Sequence, residues 1–329
     1  MHRRLNAHQG LVVGSAAFAL WLIGPVAAQD RVLPKTPWGD PSVEGIWSSA
    51  TVTPLQRPPQ FAGKEFLSLE EVAHVEREDA AERVGPGTGV GSSNRFYWER
   101  SKVVKTRRSS LIVDPADGRV PPLTAEGQRR VEARRARAET HPVDGPEDRW
   151  LTERCILFGG TGPPMLPEPY NAHYLIMQTP SHVSILTEIN HVVRVIYTDG
   201  RPHVSAQIAQ WTGDSRGHWE GNTLVVDTTG FRFNEQSRFG LLLLDGLSDQ
   251  NLRLVERFTR TDARTLIYRA TIEDPTVYTR PWTVEEPMTA TAVQLYEYAC
   301  HEGNYGMANM LSGQRAEDRA AAASRNLQQ

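Results

Sequence analysis

The side chains best suited to acid–base chemistry are concentrated in residues 211–231, WTGDSRGHWEGNTLVVDTTGF. A polar turn is followed there by a His and a Glu on either side of a Trp, and then by a β-branched run typical of a strand. A histidine can act as a general base, a carboxylate can orient it, and an arginine can stabilise a developing oxyanion. The same residues also fit a well-capped hairpin turn without a catalytic role. The catalytic candidates in this stretch are Asp214, Arg216, His218 and Glu220.

A second acid–base pair, His301 and Glu302, directly follows the last predicted strand, in the motif HEGNY. If a β-barrel brings the two clusters to one rim, they form a single active site. We therefore expect a cofactor-independent lyase, isomerase or hydrolase that acts on a small, partly apolar molecule at the mouth of the barrel. No cofactor is predicted, and a bound divalent metal stays open.

A metal-dependent hydrolase is an alternative interpretation of the same residues. The His and Glu on one face of the central strand, with a donor from the HEGNY motif, would give a mixed imidazole and carboxylate ligand set. Because the chain lacks a tightly spaced motif such as HExxH, we assign no metal ligand. The possible donors are His218, Glu220, His301 and Glu302, with His173, His182 and His191 as further ones.

A periplasmic, lipocalin-like binding protein for an apolar ligand is the second alternative. Aromatic side chains could line a pocket in a barrel, with an arginine as the polar anchor. Packing in the core explains each aromatic residue equally well on its own, and a fully filled barrel would instead favour a scaffold without a pocket. The candidate substrate-binding residues are Tyr170, Asn171, Arg194, Trp219, Trp282, Tyr298 and Tyr305.

The elements that must position these residues are short β-rich runs from residue 165 onwards. Turn signals separate most of the runs, and successive strands at short spacing favour an antiparallel meander. Eight such runs are enough to close a barrel, which removes exposed edges. We therefore predict a mainly β protein, an antiparallel β-barrel or strongly curved, lipocalin-like meander. The predicted strands are 173–178, 182–188, 191–197, 223–229, 252–261, 265–273, 281–286 and 293–300.

The rest of the chain is predicted to surround this barrel. Residues 29–164 form an N-terminal arm and helices that wrap the core, with a capping box at Ser68 and a very basic helix from Leu123. Residues 165–311 form the barrel domain, and residues 312–329 form a helical or frayed tail.

The first 28 residues are typical of a secretory signal peptide, because two arginines precede a short apolar run and small residues. We expect the mature chain to begin near Gln29 and to be periplasmic or secreted. Without Arg3 and Arg4 the basic residues fall from 36 to 34 against 39 acidic ones, so the net charge is −5. This balance disfavours nucleic-acid binding, and no second apolar stretch has the length of a membrane span. The expected partner is a small-molecule substrate or ligand, and the oligomeric state stays open.

Cys155 and Cys300 are the two cysteines of the chain. Because an exported protein meets an oxidising compartment, we predict that they form a disulfide.

Several long motifs resemble a family of exported bacterial proteins to which no activity is attached. They are the central WTGDSRGHWEGNTLVVDTTGF, the later LVERFTRTDARTLIYRATIEDPTVYTRPWT and YEYACHEGNYGM, and the opening TPWGDPSVEGIW. The resemblance spans nearly the whole mature chain and implies secretion. It transfers no catalytic residue.

Overall fold

A computed structural model describes residues 33–84, 102–141, 143–168, 170–232 and 251–326. The predicted signal peptide lies outside these residues.

One sheet of ten strands forms the body of the protein, and nine of the strands close into a barrel. Around the barrel the order is β1, β3, β4, β5, β6, β7, β8, β9 and β10, and β10 pairs with β1 to complete the circle. β2 lies outside the circle and pairs with the first half of β10. The predicted mainly β barrel is confirmed. The strands are β1 (Gly45–Ser48), β2 (Ile112–Asp114), β3 (His173–Gln178), β4 (His182–Thr187), β5 (Val193–Tyr197), β6 (Asp214–Glu220), β7 (Thr223–Thr229), β8 (Arg253–Asp262), β9 (Thr265–Glu273) and β10 (Trp282–Thr291).

One neighbouring pair departs from the antiparallel pattern, because β5 and β6 run parallel, with Ile196 opposite Ser215. The connection 198–213 carries the chain back before β6 begins, which a parallel pairing requires. The prediction of a polar turn at 213–217 is wrong, because residues 214–220 form a strand. The tight turn lies instead between β6 and β7, where Gly221 has a φ of 58° that favours glycine.

The predicted last strand at 293–300 is also wrong. β10 extends to Thr291, and the residues after it form no helix or strand until α3. β10 already pairs with β9 on one edge and with β2 and β1 on the other, so no free edge remains there for a further strand. β1, which completes the barrel, comes instead from the segment predicted to wrap it.

Within the described residues, three helices accompany the barrel: α1 (Leu69–Val84), α2 (Ala125–Thr140) and α3 (Tyr305–Asn326). The predicted capping box is present, since Ser68 Oγ accepts from the Glu71 amide and the Glu71 carboxylate accepts from the Ser68 amide. Thr124 caps α2 through its side-chain Oγ1, which accepts from the Gly127 amide. None of the helices in the described ranges has the length and apolar content to cross a membrane. Short 3₁₀ turns occur at Pro59–Phe61, Pro146–Asp148, Gly159–Thr161 and Ile189–His191.

The predicted disulfide is confirmed. Cys155 and Cys300 are bonded, with their Cα atoms 5.7 Å apart and a separation of 145 in sequence. The bond attaches the irregular segment 292–304 to the chain that leads into the barrel. Two hydrogen bonds hold the same segment: the Tyr296 amide donates to Glu188 at 3.1 Å, and the Tyr298 carbonyl lies 3.1 Å from His191 Nδ1.

Candidate active site

The interior of the barrel contains a fully buried ion pair between Arg194 on β5 and Glu256 on β8. Arg194 Nη1 donates to Glu256 Oε1 at 2.9 Å, and Nη2 donates to Oε2. The guanidinium also donates to Ser215 Oγ at 3.0 Å and to Thr228 Oγ1 at 2.9 Å. Arg194 was predicted to anchor a substrate. It lies inside the barrel as that role requires, but its donors are engaged by Glu256, Ser215 and Thr228.

Tyr268 on β9 extends this network towards one end of the barrel. Its hydroxyl donates to Glu256 Oε1 at 2.9 Å and accepts from the Met165 amide at 2.9 Å. Burial, and then the charge of Glu256, raises the pKa of the Tyr268 phenol well above its ordinary value, so the group is neutral.

Residues 159–168, here called the closing loop, bring Met165 to this position. The carbonyl of Gly160 accepts from the Tyr174 hydroxyl on β3 at 2.8 Å, so two tyrosines from the barrel interior bind the loop. Residue 160 must be small, because a Cβ there would lie 2.7 Å from the Leu166 carbonyl oxygen. The loop therefore makes close backbone contacts at the end of the barrel.

Glu168 ends the closing loop and keeps partial contact with solvent. Its Oε1 accepts from the Gly160 amide. Burial raises the pKa of Glu168 to about 7, against the hydrogen bond from Gly160, which lowers it. A carboxyl with this pKa exists in both protonation states at neutral pH, which suits a general base or acid.

Glu286 on β10 is the least expected group of the interior. Its side chain faces the barrel beside Tyr268, its register partner on β9, and only 2% of the residue is exposed. Neither carboxyl oxygen has a hydrogen-bond partner among the described residues. Burial raises the pKa of Glu286 well above the ordinary range, which favours the neutral acid.

Tyr174 connects the two carboxyl groups in space. Burial first, and then the charges of Glu286 and of Glu168, raise the pKa of its phenol well above the usual value. The charges of both carboxyls therefore act on one phenol. Two carboxyl groups whose environments shift their pKa values differently can act as a general acid and a general base, and neutral phenols beside them can donate hydrogen bonds. We call Glu168, Tyr174 and Glu286, with the adjacent Tyr268, the interior carboxyl site.

The predicted catalytic residues of the central motif lie on the outer face of the barrel. Along β6 the residues at 215, 217 and 219 face the interior, whereas those at 214, 216, 218 and 220 share the outer face. The His218 side chain is 63% exposed, and its Nε2 lies 3.2 Å from Glu220 Oε1. Glu220 accepts from Arg257 at 2.6 Å, and this bond, with a smaller contribution from His218, lowers its pKa.

Asp214 and Arg216 belong to a separate cluster on the same outer face. Asp214 is buried and accepts from Arg216 Nη1 at 2.7 Å. Its other oxygen lies 2.7 Å from His203 Nδ1 and accepts from the Val204 amide at 3.1 Å. The imidazole partner of Asp214 is therefore His203, which lies outside the central motif, and these contacts hold the connection between β5 and β6.

His301 and Glu302 do not meet the central motif. Both are exposed in the segment 292–304, and no contact among the described residues joins them to the outer-face residues of β6. The strand 293–300, which was expected to bring the two clusters to one rim, is absent from the barrel.

The predicted substrate-binding residues divide into two groups. Arg194, Trp219 and Trp282 face the barrel interior, and Trp282 is fully buried with its indole Nε1 lacking a partner among the described residues. The other four lie outside the barrel strands. Tyr170 stacks on Tyr298 with ring centroids 6.2 Å apart, Asn171 precedes Ala172 and β3 with a φ of 50°, and Tyr305 is exposed at the start of α3.

The mixed His and carboxylate ligand set is not assembled within the described residues, where no group of three or more such side chains could hold a metal ion. Each further histidine has a contact of its own. His173 Nδ1 lies 2.6 Å from Glu188 Oε2, His182 Nδ1 lies 2.9 Å from Thr179 Oγ1, and His191 contacts the Tyr298 carbonyl.

The interior site was missed although the sequence contains a signal for it. Glu256 stands between Leu254 and Phe258, and Glu286 between Val284 and Met288, each in the apolar phase of an alternating strand. A charged residue in that phase points into the barrel.

Comparisons with protein-family models, with curated proteins and with solved structures gave no match to this chain.

Proposed function

We propose that the protein is an acid–base enzyme, a lyase, isomerase or hydrolase, that acts on a small, partly apolar molecule in the interior carboxyl site. The observation that carries the proposal is Glu286, a buried carboxyl whose two oxygens have no partner among the described residues. Such a group lowers the stability of the fold, because almost all buried polar groups are hydrogen-bonded. A catalytic role explains why a destabilising group of this kind is kept. The other deep interior carboxylate, Glu256, is fully satisfied.

Different environments assign the two carboxyls different roles. Glu168, partly exposed and with a pKa of about 7, is the general base that removes a proton from the substrate. Glu286, neutral in its apolar surroundings, is the acid that donates a proton to the oxygen on which charge develops. One turnover moves a proton from Glu286 to Glu168, and exchange with solvent at the mouth restores both groups. None of these steps requires a cofactor.

Export is part of the proposal. The signal-like first 28 residues and the Cys155–Cys300 disulfide both support a periplasmic or secreted location. Amino-terminal sequencing of the protein recovered from the periplasm or medium should then begin near Gln29. A cytoplasmic protein that retains Met1 would contradict export.

Turnover can be tested without knowing the substrate. The wild-type chain is incubated with a defined mixture of small hydroxylated, carbonyl and ester compounds, and mass spectrometry records which masses are consumed and formed. E286Q and E168Q should abolish the conversion, whereas H218A, on the outer face, should retain it. Retained conversion in both glutamine variants, or loss in H218A alone, would contradict the proposal.

The binding-protein alternative rests on the same barrel and has a distinct outcome in this experiment. A wild-type chain that retains one compound of the mixture through gel filtration, and converts none, would replace the enzyme by a carrier. In that case E286Q should change retention, because the unpartnered carboxyl then serves ligand binding.

A further inference from the structure

A cavity of about 160 Å³ lies apart from the interior carboxyl site, between the segments 52–61 and 103–109 and helix α1. Apolar side chains form most of its wall, and several of them are only half-buried. An apolar cavity of about 150 Å³ accommodates a molecule the size of benzene, so this one has room for a six-membered ring. The apolar lining includes Val52, Pro54, Phe61, Leu67, Val75 and Val103.

Arg108 contributes a hydrogen-bond donor to the lining of this cavity. Its side chain is 16% exposed, and its Nε is buried without a hydrogen-bond partner among the described residues. Nη1 donates to Glu65 at 2.7 Å, whereas Glu285 Oε1 lies 3.5 Å from Nε and accepts no hydrogen bond from it. A buried donor in this state is complementary to an acceptor oxygen on a ligand.

The charges around Arg108 are balanced by the chain itself. Glu65 and Glu285 lie beside Arg108, and Arg269 Nε donates to Glu285 at 2.6 Å, so two cations face two carboxylates. Glu78, whose side chain is largely exposed, adds a negative charge to the lining. A carboxylate ligand would be repelled by Glu285 and Glu78, and an ammonium ion by Arg108. The surroundings therefore favour an uncharged ligand.

We propose that this cavity binds a small, uncharged ring compound with one carbonyl oxygen, which accepts a hydrogen bond from Arg108 Nε while the ring packs against the apolar wall. A carbonyl suits this place better than a hydroxyl, because it brings no donor that the apolar wall would leave unsatisfied. Binding gives the buried donor an acceptor, in a charge-assisted hydrogen bond. The proposed function of the interior carboxyl site is independent of this second site.

A nuclear magnetic resonance titration of the full chain at neutral pH, followed through its amide signals, tests the ligand class. The probes are cyclohexanone, methylenecyclohexane and cyclohexanecarboxylate, of which the first two have the same shape and differ in the carbonyl oxygen. Both neutral probes should bind and shift amides within 52–61, 75–78 and 103–109, and the carboxylate should bind more weakly than the ketone. Tighter binding of the carboxylate, failure of either neutral probe to bind, or shifts confined to other residues would overturn the proposal.

Arg108→Met tests the hydrogen bond, because it keeps a long side chain and removes the donor. Cyclohexanone should bind R108M at least about tenfold more weakly than wild type, the size of one charge-assisted hydrogen bond. Methylenecyclohexane has no acceptor and should bind both chains equally, which shows that the cavity is intact. An equal change for the two probes, or no change for the ketone, would contradict recognition by Arg108.

Val75→Phe tests the location, because it places a larger side chain in the cavity from α1. This variant should bind neither neutral probe, whereas Val195→Phe, the same change at an exposed position of β5, should bind both. Retained binding in V75F would place the ligand elsewhere. E286Q should keep binding, because Glu286 does not line this cavity. A loss of ketone binding in E286Q would contradict two separate sites, and a loss of turnover alone would concern only the proposed enzyme.

Discussion

At the scale of the residue, the position of a charged residue within the alternation of its strand shows whether the side chain faces the barrel interior. Its immediate neighbours in sequence do not show this. The central motif groups Asp214, Arg216, His218 and Glu220 within seven residues, yet all four lie on the outer face of β6. The deep interior acids, Glu256 and Glu286, each have apolar residues two positions before and two positions after them, on the same face of the strand. The outer-face group is found by looking for closely spaced charged residues. The interior acids are found only by following which positions of a strand alternate with apolar residues.

The stability of the protein should depend on pH through Glu286. Its pKa is raised in the folded chain, so its stabilising contribution is complete below the unfolded value of about 4.3 and is lost as pH rises towards the folded value. Glutamine does not titrate. E286Q should therefore become progressively more stable than wild type between mildly acidic and neutral pH, as measured by urea unfolding.

E285Q is the matched control for this experiment. Glu285 is the adjacent residue on the opposite face of β10, where Arg269 Nε donates to it at 2.6 Å and Arg108 Nε lies at 3.5 Å. Removing its charge breaks these pairs and should lower stability at neutral pH. If E286Q is less stable than wild type throughout this range, Glu286 is not an unsatisfied buried acid.

The buried ion pair predicts a second effect on stability. Arg194→Met leaves Glu256 charged and unpaired inside the barrel, and breaking a buried pair in this way costs about 3–5 kcal/mol. The double variant R194M/E256M removes both charges and should recover much of the loss. Chemical denaturation of the single and double variants measures the difference. A double variant no more stable than R194M would show that the pair itself is the stabilising element.

At the scale of the element, the closing loop is bound directly to residues of the interior carboxyl site, Tyr174, Tyr268 and Glu168. Gly160 is packed so closely that an added Cβ would lie 2.7 Å from the Leu166 carbonyl oxygen. Gly160→Ala should therefore displace the loop, break its bond to Tyr174, and lower turnover or ligand binding. Hydrogen exchange should rise in residues 159–168.

Gly313→Ala is the control for the loop variant, because nothing lies within 4 Å of a Cβ at that position in α3. This change should leave exchange and activity in place. Unaltered exchange at 159–168 in G160A would show that the loop tolerates the side chain and does not control the site.

The sequence patterns predicted individual strands and helices more accurately than they predicted which strands pair in the sheet. The β-branched runs at 173–178, 223–229 and 265–273 became strands with the predicted bounds, and the capping box at Ser68 begins α1 as expected. The parallel pairing of β5 with β6 was not predictable from local signals, because it depends on the path of the connection 198–213. Residues 293–300 alternate like a strand, but closure leaves them no free edge on β10.

At the scale of the whole molecule, closure of the barrel depends on segments far apart in sequence. β1 at Gly45–Ser48 joins β3 to β10, and β2 adds to β10 from outside. Neither could be assigned from the sequence, since a four-residue strand in a Pro-rich arm gives almost no periodic signal. The polar interior was equally hidden, because it forms only when β5, β8, β9 and β10 converge.

The disulfide acts at this scale as well. It spans 145 positions, and a crosslink over a loop of that size is worth about 4–5 kcal/mol in the chain-entropy model. The double variant C155S/C300S should lower the midpoint of thermal unfolding and release the segment 292–304, which is detected as faster hydrogen exchange there. An unchanged midpoint would mean that the other contacts of the segment suffice.

The central claim is that the reactive groups of this protein are carboxyls inside the barrel. Its most direct test is a pH titration of the glutamate side-chain carboxyls by ¹³C nuclear magnetic resonance on the full chain. We expect one carboxyl to titrate near pH 7 and to disappear in E168Q, and a second to stay protonated to higher pH and to disappear in E286Q. If every glutamate titrates near the ordinary value of about 4.3, the interior acids do not exist as described.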